Sequence, residues 1–81
     1  MNKFLEFVSR IFEVNVEELS GDTAFKSIPQ WNSLMHLRLV AEIEAHYAAE
    51  IPIDEVPDIK ILADFYRYIA EAQRKEGLDI K

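Results

Sequence analysis

The chain has 81 residues, of which 49% are hydrophobic and 30% charged, with 15 Asp and Glu against 9 Lys and Arg and no cysteine. This length predicts one small domain with little room for a deep catalytic cleft. The net charge of -6 excludes nucleic acid as an expected ligand and predicts partners that carry basic patches. Without cysteine there is no disulfide and no thiol nucleophile. No apolar run suits a membrane span or a signal peptide, so we expect a cytoplasmic protein.

The first predicted element is an amphipathic helix between Lys3 and Val14, with Asn2 as its candidate N-cap. Its apolar residues fall at i, i+4, i+7 and i+8, namely Phe4, Val8, Ile11 and Phe12. From residue 15 to residue 32 this periodicity fails, and turn-forming residues take its place, with room for one helical turn at 16–19. Apolar residues still recur too often for a disordered linker, so we expect five to pack into the core: Val16, Leu19, Phe25, Ile28 and Trp31.

The strongest predicted helix runs from Ser33 to Ala49, before Pro52. We expect its inner face to comprise Leu34, Leu37, Val40 or Ala41, Ile43 or Glu44, and Tyr47. On another face, Glu42, His46 and Glu50 follow at i, i+4 and i+8, a spacing that suits either metal ligands or a pH-sensitive pair. The same spacing is common on solvated helix faces, so we favour surface charge over metal binding.

The remaining elements are one helical turn at 54–58 and a last helix from Ile61 to Lys75, with Gly77 as candidate C-cap. The sequence therefore predicts an all-α fold, a small bundle of three main helices plus one short helix. We expect a helical domain over residues 1–76 and a C-terminal tail over 77–81. No glycine-rich phosphate loop and no His-Glu-x-x-His motif is present, so an enzyme is not expected.

The candidate site is the junction Gln30-Trp31-Asn32-Ser33-Leu34, where the long loop meets the strongest helix. Read alone, Asn32 and Ser33 are good capping residues, a role that implies no function. A phosphoester on Ser33 would lie beside the backbone N–H groups at the positive end of the helix dipole, so the position also suits a modified serine. Both readings stay open on these residues alone. We expect Trp31 to be a packing anchor.

The residues that extend this motif are Leu37, Leu39, Val40, Ile43 and Tyr47, then Ile51-Pro52, Asp54-Glu55 and Tyr68-Ile69. Together they resemble the Asp-Ser-Leu motif, second helix, third element and last helix of acyl carrier proteins, over the span from Phe4 to Ala70. The resemblance implies a carrier of acyl or aminoacyl thioesters, as in fatty acid or polyketide biosynthesis. Because 81 residues leave no room for a fused enzyme domain, we expect the carrier to be freestanding, and we expect a monomer. The resemblance also implies that aliphatic cargo can be sheltered between the second and third helices.

On this resemblance, Ser33 accepts 4′-phosphopantetheine from coenzyme A through a phosphopantetheinyl transferase. The residues expected to contact the transferase are Asn32, Leu34, Met35 and Ala41. Other implied partners are acyl-activating, acyl-transferring or condensing enzymes with basic docking patches. The expected partner surface consists of Arg38, Glu42, Glu44, Asp54, Glu55 and Asp58, although simple solubility explains these charges equally well.

Two departures from the family pattern stand out. Asn32 replaces the usual Asp, and Met35 and Arg38 replace acidic residues on the outer face of the helix, where His36 adds another candidate positive charge. We interpret the second departure as a sign of a specialised pathway. The first leaves an alternative, an unmodified carrier-like module that binds partners through its acidic surface. A metal- or pH-responsive protein using Glu42 and His46 is a third reading.

Overall fold

The computed structural model describes the backbone of residues 2–79 and the side chains of residues 2–74. Its α-helices are α1 (Asn2–Phe12), α2 (Ser33–Tyr47) and α3 (Leu62–Asp79), and its short 3₁₀ helices are η1 (Val16–Glu18) and η2 (Ile53–Asp58). Within the described part of the chain, the extended pairing is a single bridge between Ala24 and Ile61. The predicted all-α bundle is therefore confirmed. None of the described helices is long and apolar enough to cross a membrane.

Helix α1 forms where the sequence predicts it, because its apolar residues lie on one face. Phe4, Val8 and Phe12 are all buried in the core. The helix ends at Phe12 because Glu13 adopts the left-handed conformation, with φ of 59°. The amide of Val14 then donates to the carbonyl of Ser9 over 3.1 Å, which is the 6→1 hydrogen bond of the Schellman motif at helix C-termini. Asn2 is the first helical residue rather than a cap outside the helix.

The long loop from residue 13 to residue 32 is held in place by backbone hydrogen bonds to the start of α3. The amide of Leu62 donates to the carbonyl of Thr23 over 3.1 Å, and the amide of Ala63 donates to Gly21 over 2.9 Å. First-turn amides have no partner within their own helix, so the loop supplies acceptors that α3 needs. Leu19 and Trp31 are buried and Phe25 and Ile28 pack partly against the core, as expected.

Val16 is the exception among the apolar loop residues. It was expected in the core, but its side chain is 37% exposed. The reason is that Val16 begins η1, whose three residues all lie on the surface, and the chain turns inward only at Leu19.

The predicted inner face of α2 is partly wrong. Leu34 and Leu37 are 80% and 61% exposed, while the buried residues of the helix are His36, Leu39, Val40 and Ile43. Apolar residues lie nearly all around this helix, so more than one stripe satisfies helical spacing. The helix packs with the stripe that includes His36 inward, since there its ring finds hydrogen-bond partners.

The third element and the last helix meet the prediction except at the C-terminal end. The carboxylate of Asp64 accepts from the amides of Lys60 and Ile61 over 2.8 and 3.1 Å, which stabilises the start of α3. At its other end α3 continues through Gly77 to Asp79, so Gly77 as the C-cap is wrong. A glycine within a helix is unfavourable but tolerated. The division into a domain at 1–76 and a tail at 77–81 stays a prediction, and residues 80–81 lie outside the described part.

Helix α2 ends two residues earlier than predicted, and its end suggests a stabilising substitution. Ala48 adopts the left-handed conformation, with φ of 55° and ψ of 33°, where the Cβ of alanine is strained and glycine is not. We expect Ala48→Gly to raise the free energy of unfolding by about 0.5 to 1 kcal/mol in urea titrations. In contrast, Ala70→Gly on the exposed side of α3 should lower it by about 1 kcal/mol. Equal losses from both variants would contradict the strain at Ala48.

Candidate functional site

The start of α2 separates the roles of Asn32 and Ser33. Asn32 has extended backbone, with φ of -102°, and its side-chain Oδ1 accepts from the amide of Met35 over 2.8 Å. Asn32 is therefore the N-cap. Ser33 is the first helical residue and is exposed. Capping accounts for Asn32 but leaves the hydroxyl of Ser33 without a capping role.

Behind Ser33, a buried hydrogen-bond chain joins the loop, α2 and η2. The indole Nε1 of Trp31 donates to Nδ1 of His36 over 3.0 Å, and Nε2 of His36 lies 3.1 Å from the carbonyl oxygen of Val56. Because an indole N–H can only donate, Nδ1 must be the acceptor, and Nε2 carries the proton and donates to Val56. We call the three residues Trp31, His36 and Val56 the histidine bridge.

The histidine bridge corrects one expectation about charge. His36 was predicted to add positive charge to the outer face of α2, but it is buried, with 7% exposure, and its bonding pattern is that of a neutral ring. Aromatic rings surround it, with centroid distances of 4.9 Å to Phe25, 5.8 Å to Trp31 and 6.0 Å to Phe65. Trp31 is fully buried, which confirms its role as a packing anchor.

The outer face of α2 carries exposed apolar side chains close to Ser33 in the chain. Leu34 and Leu37 are exposed, and so is Ala41, one turn further along the same face. At the start of η2, Ile53 is 88% exposed. We call Leu34, Leu37, Ala41 and Ile53 the apolar surface residues. Met35, which was also expected there, is half-buried and packs partly against the core.

Leu37 and Ile53 were not predicted as exposed residues of the site. Leu37 was expected in the core, and no role was predicted for Ile53. One signal could have found Leu37: the positions 36, 39, 40, 43 and 47 form a complete helical stripe, and Leu37 lies outside it. For Ile53 the sequence offers no comparable signal, since Ile51, two residues earlier, is buried.

The predicted acidic partner surface is only partly available to a partner. Glu44 accepts from the amide of Ile51 over 3.1 Å, within the link that follows α2. Arg38 and Glu42 form an exposed ion pair of 3.7 Å along α2. Asp54 and Asp58 are exposed on η2 and carry no such contact to α2. The structure therefore places the unengaged acidic charge of this surface on η2.

Glu55, the remaining acidic residue of this surface, belongs to a polar network between η2 and α3. The hydroxyl of Tyr68 donates to Glu55 over 2.6 Å, and Arg67 donates to the same hydroxyl over 2.9 Å. The hydrogen bond to Glu55 and the burial of the ring raise the pKa of Tyr68 above its ordinary value. This network fixes η2 to α3, as the histidine bridge fixes it to α2.

The i, i+4 and i+8 helical face predicted for Glu42, His46 and Glu50 does not form. Helix α2 ends at Tyr47, so Glu50 does not continue the face, and His46 stacks on Phe7 with ring centroids 4.4 Å apart. The described side chains include no group of three candidate metal ligands.

These features define a class of protein: a small helical bundle that presents a serine at a helix start, beside exposed apolar side chains. The chain is 31% identical over 71 residues to an acyl carrier protein of Rickettsia massiliae, covering 88% of this chain and 83% of that protein. It is 29% identical over 72 residues to the acyl carrier protein of Lactobacillus acidophilus, covering 89% and 90%. No family model matches the chain.

A solution NMR structure of holo acyl carrier protein from Geobacter metallireducens shares the fold, with a TM-score of 0.73 over 93% of this chain and 83% of that one, at 20% identity. The protein belongs to the acyl carrier protein family. It is thus a carrier protein and not an enzyme. Family membership indicates 4′-phosphopantetheine as the covalent cofactor, and implies biosynthetic enzymes and a phosphopantetheinyl transferase as partners.

The cap at Asn32 gives a first test of this site. Asn32→Ala should lower the free energy of unfolding by about 1 kcal/mol, because the amide of Met35 loses its acceptor. Asn32→Asp should stay within about 0.5 kcal/mol of the parent, since a carboxylate accepts the same bond and favours the helix dipole. Urea titrations of the two variants test this, and an alanine variant as stable as the parent would contradict the cap.

The Tyr68 network predicts a pH dependence. The folded state raises the pKa of Tyr68, so it holds the hydroxyl proton more tightly than the unfolded chain does. The resulting stability is fully present below about pH 10 and is lost as the pH rises through the raised pKa. Tyr68→Phe should therefore cost about 1 kcal/mol at pH 7, and the difference from the parent should shrink above pH 10. A difference that stays constant up to pH 11 would contradict this assignment.

Proposed function

We propose that Ser33 is the residue to which 4′-phosphopantetheine is attached, and that the protein carries acyl or aminoacyl thioesters between biosynthetic enzymes. The observation that carries this proposal is the division of roles at the start of α2. Asn32 caps the helix through its side chain, and the adjacent Ser33 is exposed. A hydroxyl in that position is accessible to a transferase, and its modification leaves the cap intact.

The chemistry of attachment suits the start of a helix. The oxygen Oγ of Ser33 forms a bond to phosphorus, the pyrophosphate bond of coenzyme A breaks, and adenosine 3′,5′-bisphosphate leaves. A base of the transferase takes the hydroxyl proton. The resulting phosphodiester is an anion at the positive end of the 15-residue helix α2, where the helix dipole stabilises it. When bound, the group supplies the thiol that this cysteine-free chain lacks.

The apolar surface residues support the proposed transferase contact. We propose that Leu34 and Ala41, together with Leu37, lie against the transferase, because exposed apolar side chains near the modified residue give up water readily on association. Met35 contributes less because it is half-buried. A partner bound only briefly needs such a small apolar contact rather than a large one.

Charge supports a partner with basic residues. Asp54 and Asp58 are exposed on η2, and the chain carries a net charge of -6. Opposite charge on the partner would speed association without making the complex long-lived. Arg38 interrupts this acidic surface on α2, which supports our proposal of a specialised pathway. We further propose that the protein acts as a monomer in the cytoplasm.

One observation favours a second candidate. Asn32 lacks the negative charge that the family usually has before its serine, so the chain is also a candidate for an unmodified module that binds partners through η2. The two candidates differ in one measurable property, the covalent modification of Ser33.

The test is the intact mass after incubation with coenzyme A, magnesium and a broad-specificity phosphopantetheinyl transferase. The parent should gain one phosphopantetheine group and Ser33→Ala none. Ser27→Ala is the matched control, because Ser27 is also exposed but its hydroxyl donates to the carbonyl of Ala24, and it should be modified like the parent. Asn32→Asp should be modified several-fold faster. A folded parent that gains no mass from a panel of transferases would overturn the proposal in favour of the unmodified module.

A further inference from the structure

We propose that the histidine bridge keeps the bundle closed beside Ser33, so that the cargo stays outside the core and is a short or polar acyl or aminoacyl group. This inference rests on the proposed function of Ser33 as the attachment site. It adds the chemical class of the cargo, and it gives His36 the role of a specificity-determining residue.

The histidine bridge begins in the same helical turn as Ser33. His36 follows Ser33 by three residues, so both lie in the first turn of α2, one exposed and the other buried. The Nε2 of His36 donates to Val56 in η2 over 3.1 Å. Helix η2 is therefore held against the same turn that displays Ser33. A chain that leaves Ser33 and enters between α2 and η2 must separate His36 from Val56.

Separating them is unfavourable because of what surrounds the ring. The neighbours of His36 are the rings of Phe25, Trp31 and Phe65, none of which accepts a strong hydrogen bond from Nε2. An aliphatic chain that displaced Val56 would offer no acceptor either. The N–H would stay buried and unpaired, which opposes entry. Among the described side chains no buried polar atom is unpaired in the closed arrangement.

The rings that contact His36 lie deep in the core. Trp31 and Phe65 are each less than 2% exposed, so cargo reaches them only if the bundle opens. Burial of an aliphatic group grows more favourable with each methylene, so a short or polar cargo gains little from forcing an opening. The histidine bridge thus favours a cargo with little apolar surface, which loses little free energy by remaining in water.

Three grooves of the described surface are each lined by residues other than Ser33 and its helical turn. Two of them, of about 300 and 410 Å³, are lined by charged side chains that include Arg67, with Asp58 and Asp64 in one and Glu55 in the other. The third, of about 430 Å³, is aromatic, but it lies at the far end of α2 beside Tyr47. At 1.5 Å per residue, Tyr47 is about 21 Å from Ser33 along the helix.

The experiment attaches cargo without a transferase. Because the chain has no cysteine, Ser33→Cys creates one thiol, which is alkylated with a pantetheine arm ending in an acetamide or in an octanamide. The readouts are the emission spectrum of Trp31, the only tryptophan, and the hydrogen-exchange rates of the amides of Leu39 and Ile43 in α2. In the parent background, which here means the Ser33→Cys variant with no other change, the two arms should give the same Trp31 emission spectrum. The exchange rates with the two arms should agree within twofold.

The bridge itself is tested with His36→Ala in the same Ser33→Cys background. Without the imidazole, the octanamide arm should slow exchange of the core amides at least tenfold relative to the acetamide arm. Leu37→Ala, at the next position but facing outward, is the matched control and should behave like the parent. If His36→Ala does not fold, His36→Leu, which occupies much of the space of the ring but has no hydrogen-bond donor, takes its place with the same expectation.

Two results would overturn the inference. One is a tenfold slowing by the octanamide arm in the parent background, which would show that the closed bundle admits a long chain. The other is no difference between the arms in the His36 variant, which would show that the bridge does not control entry. Failure of the proposed function would be seen separately, as an unchanged mass in the transferase assay. The alkylation of the Ser33→Cys variant needs no transferase, so its outcome does not depend on that assay.

Discussion

The buried side-chain hydrogen bonds from Trp31 to His36 and from His36 to Val56 join three segments of the described structure: the long loop, α2 and η2. Through them the loop before Ser33, the first turn of α2 and the short helix η2 take up one arrangement. A chain of this size has a total stability of roughly 4 to 12 kcal/mol, on a scale of about 0.05 to 0.15 kcal/mol per residue. Two buried hydrogen bonds, at about 1 kcal/mol each, are then a substantial share of what holds the molecule together.

The same chain of bonds accounts for the face that α2 turns outward. Once His36 lies inward, Leu39, Val40 and Ile43 follow it on the buried side, and Leu34 and Leu37 must lie on the solvent side. The exposure of two leucines next to Ser33 is thus not a defect of packing. It is the geometric consequence of burying an imidazole where it has both a donor and an acceptor.

How much the sequence could predict differs from helix to helix. Helix α1 has apolar residues on one side only, so its spacing determined both its existence and its buried face. Helix α2 was predicted as a helix, but its apolar residues lie nearly all around, and the choice of face depended on partners of His36 that are distant in the chain. The place of Ser33 at the helix start followed from local residues. The sequence also offered Asn32 as a cap, but the engagement of Glu44 and the exposure of Ile53 depend on neighbours that spacing does not reveal.

The hydrogen bonds from the amides of Leu62 and Ala63 to the long loop make the start of α3 part of what holds the site around Ser33 together. The loop that leads to Ser33 is ordered by the beginning of the last helix, far away in the sequence, as well as by hydrogen bonds among its own residues, such as that from the amide of Lys26 to the carbonyl of Trp31. A peptide comprising only the loop and α2 would contain the residues that adjoin Ser33 in sequence, and yet lack the amides of α3 that bond to the loop and the carbonyl of η2 that bonds to His36. On the proposed function, the transferase therefore recognises a folded domain around Ser33 rather than a linear motif.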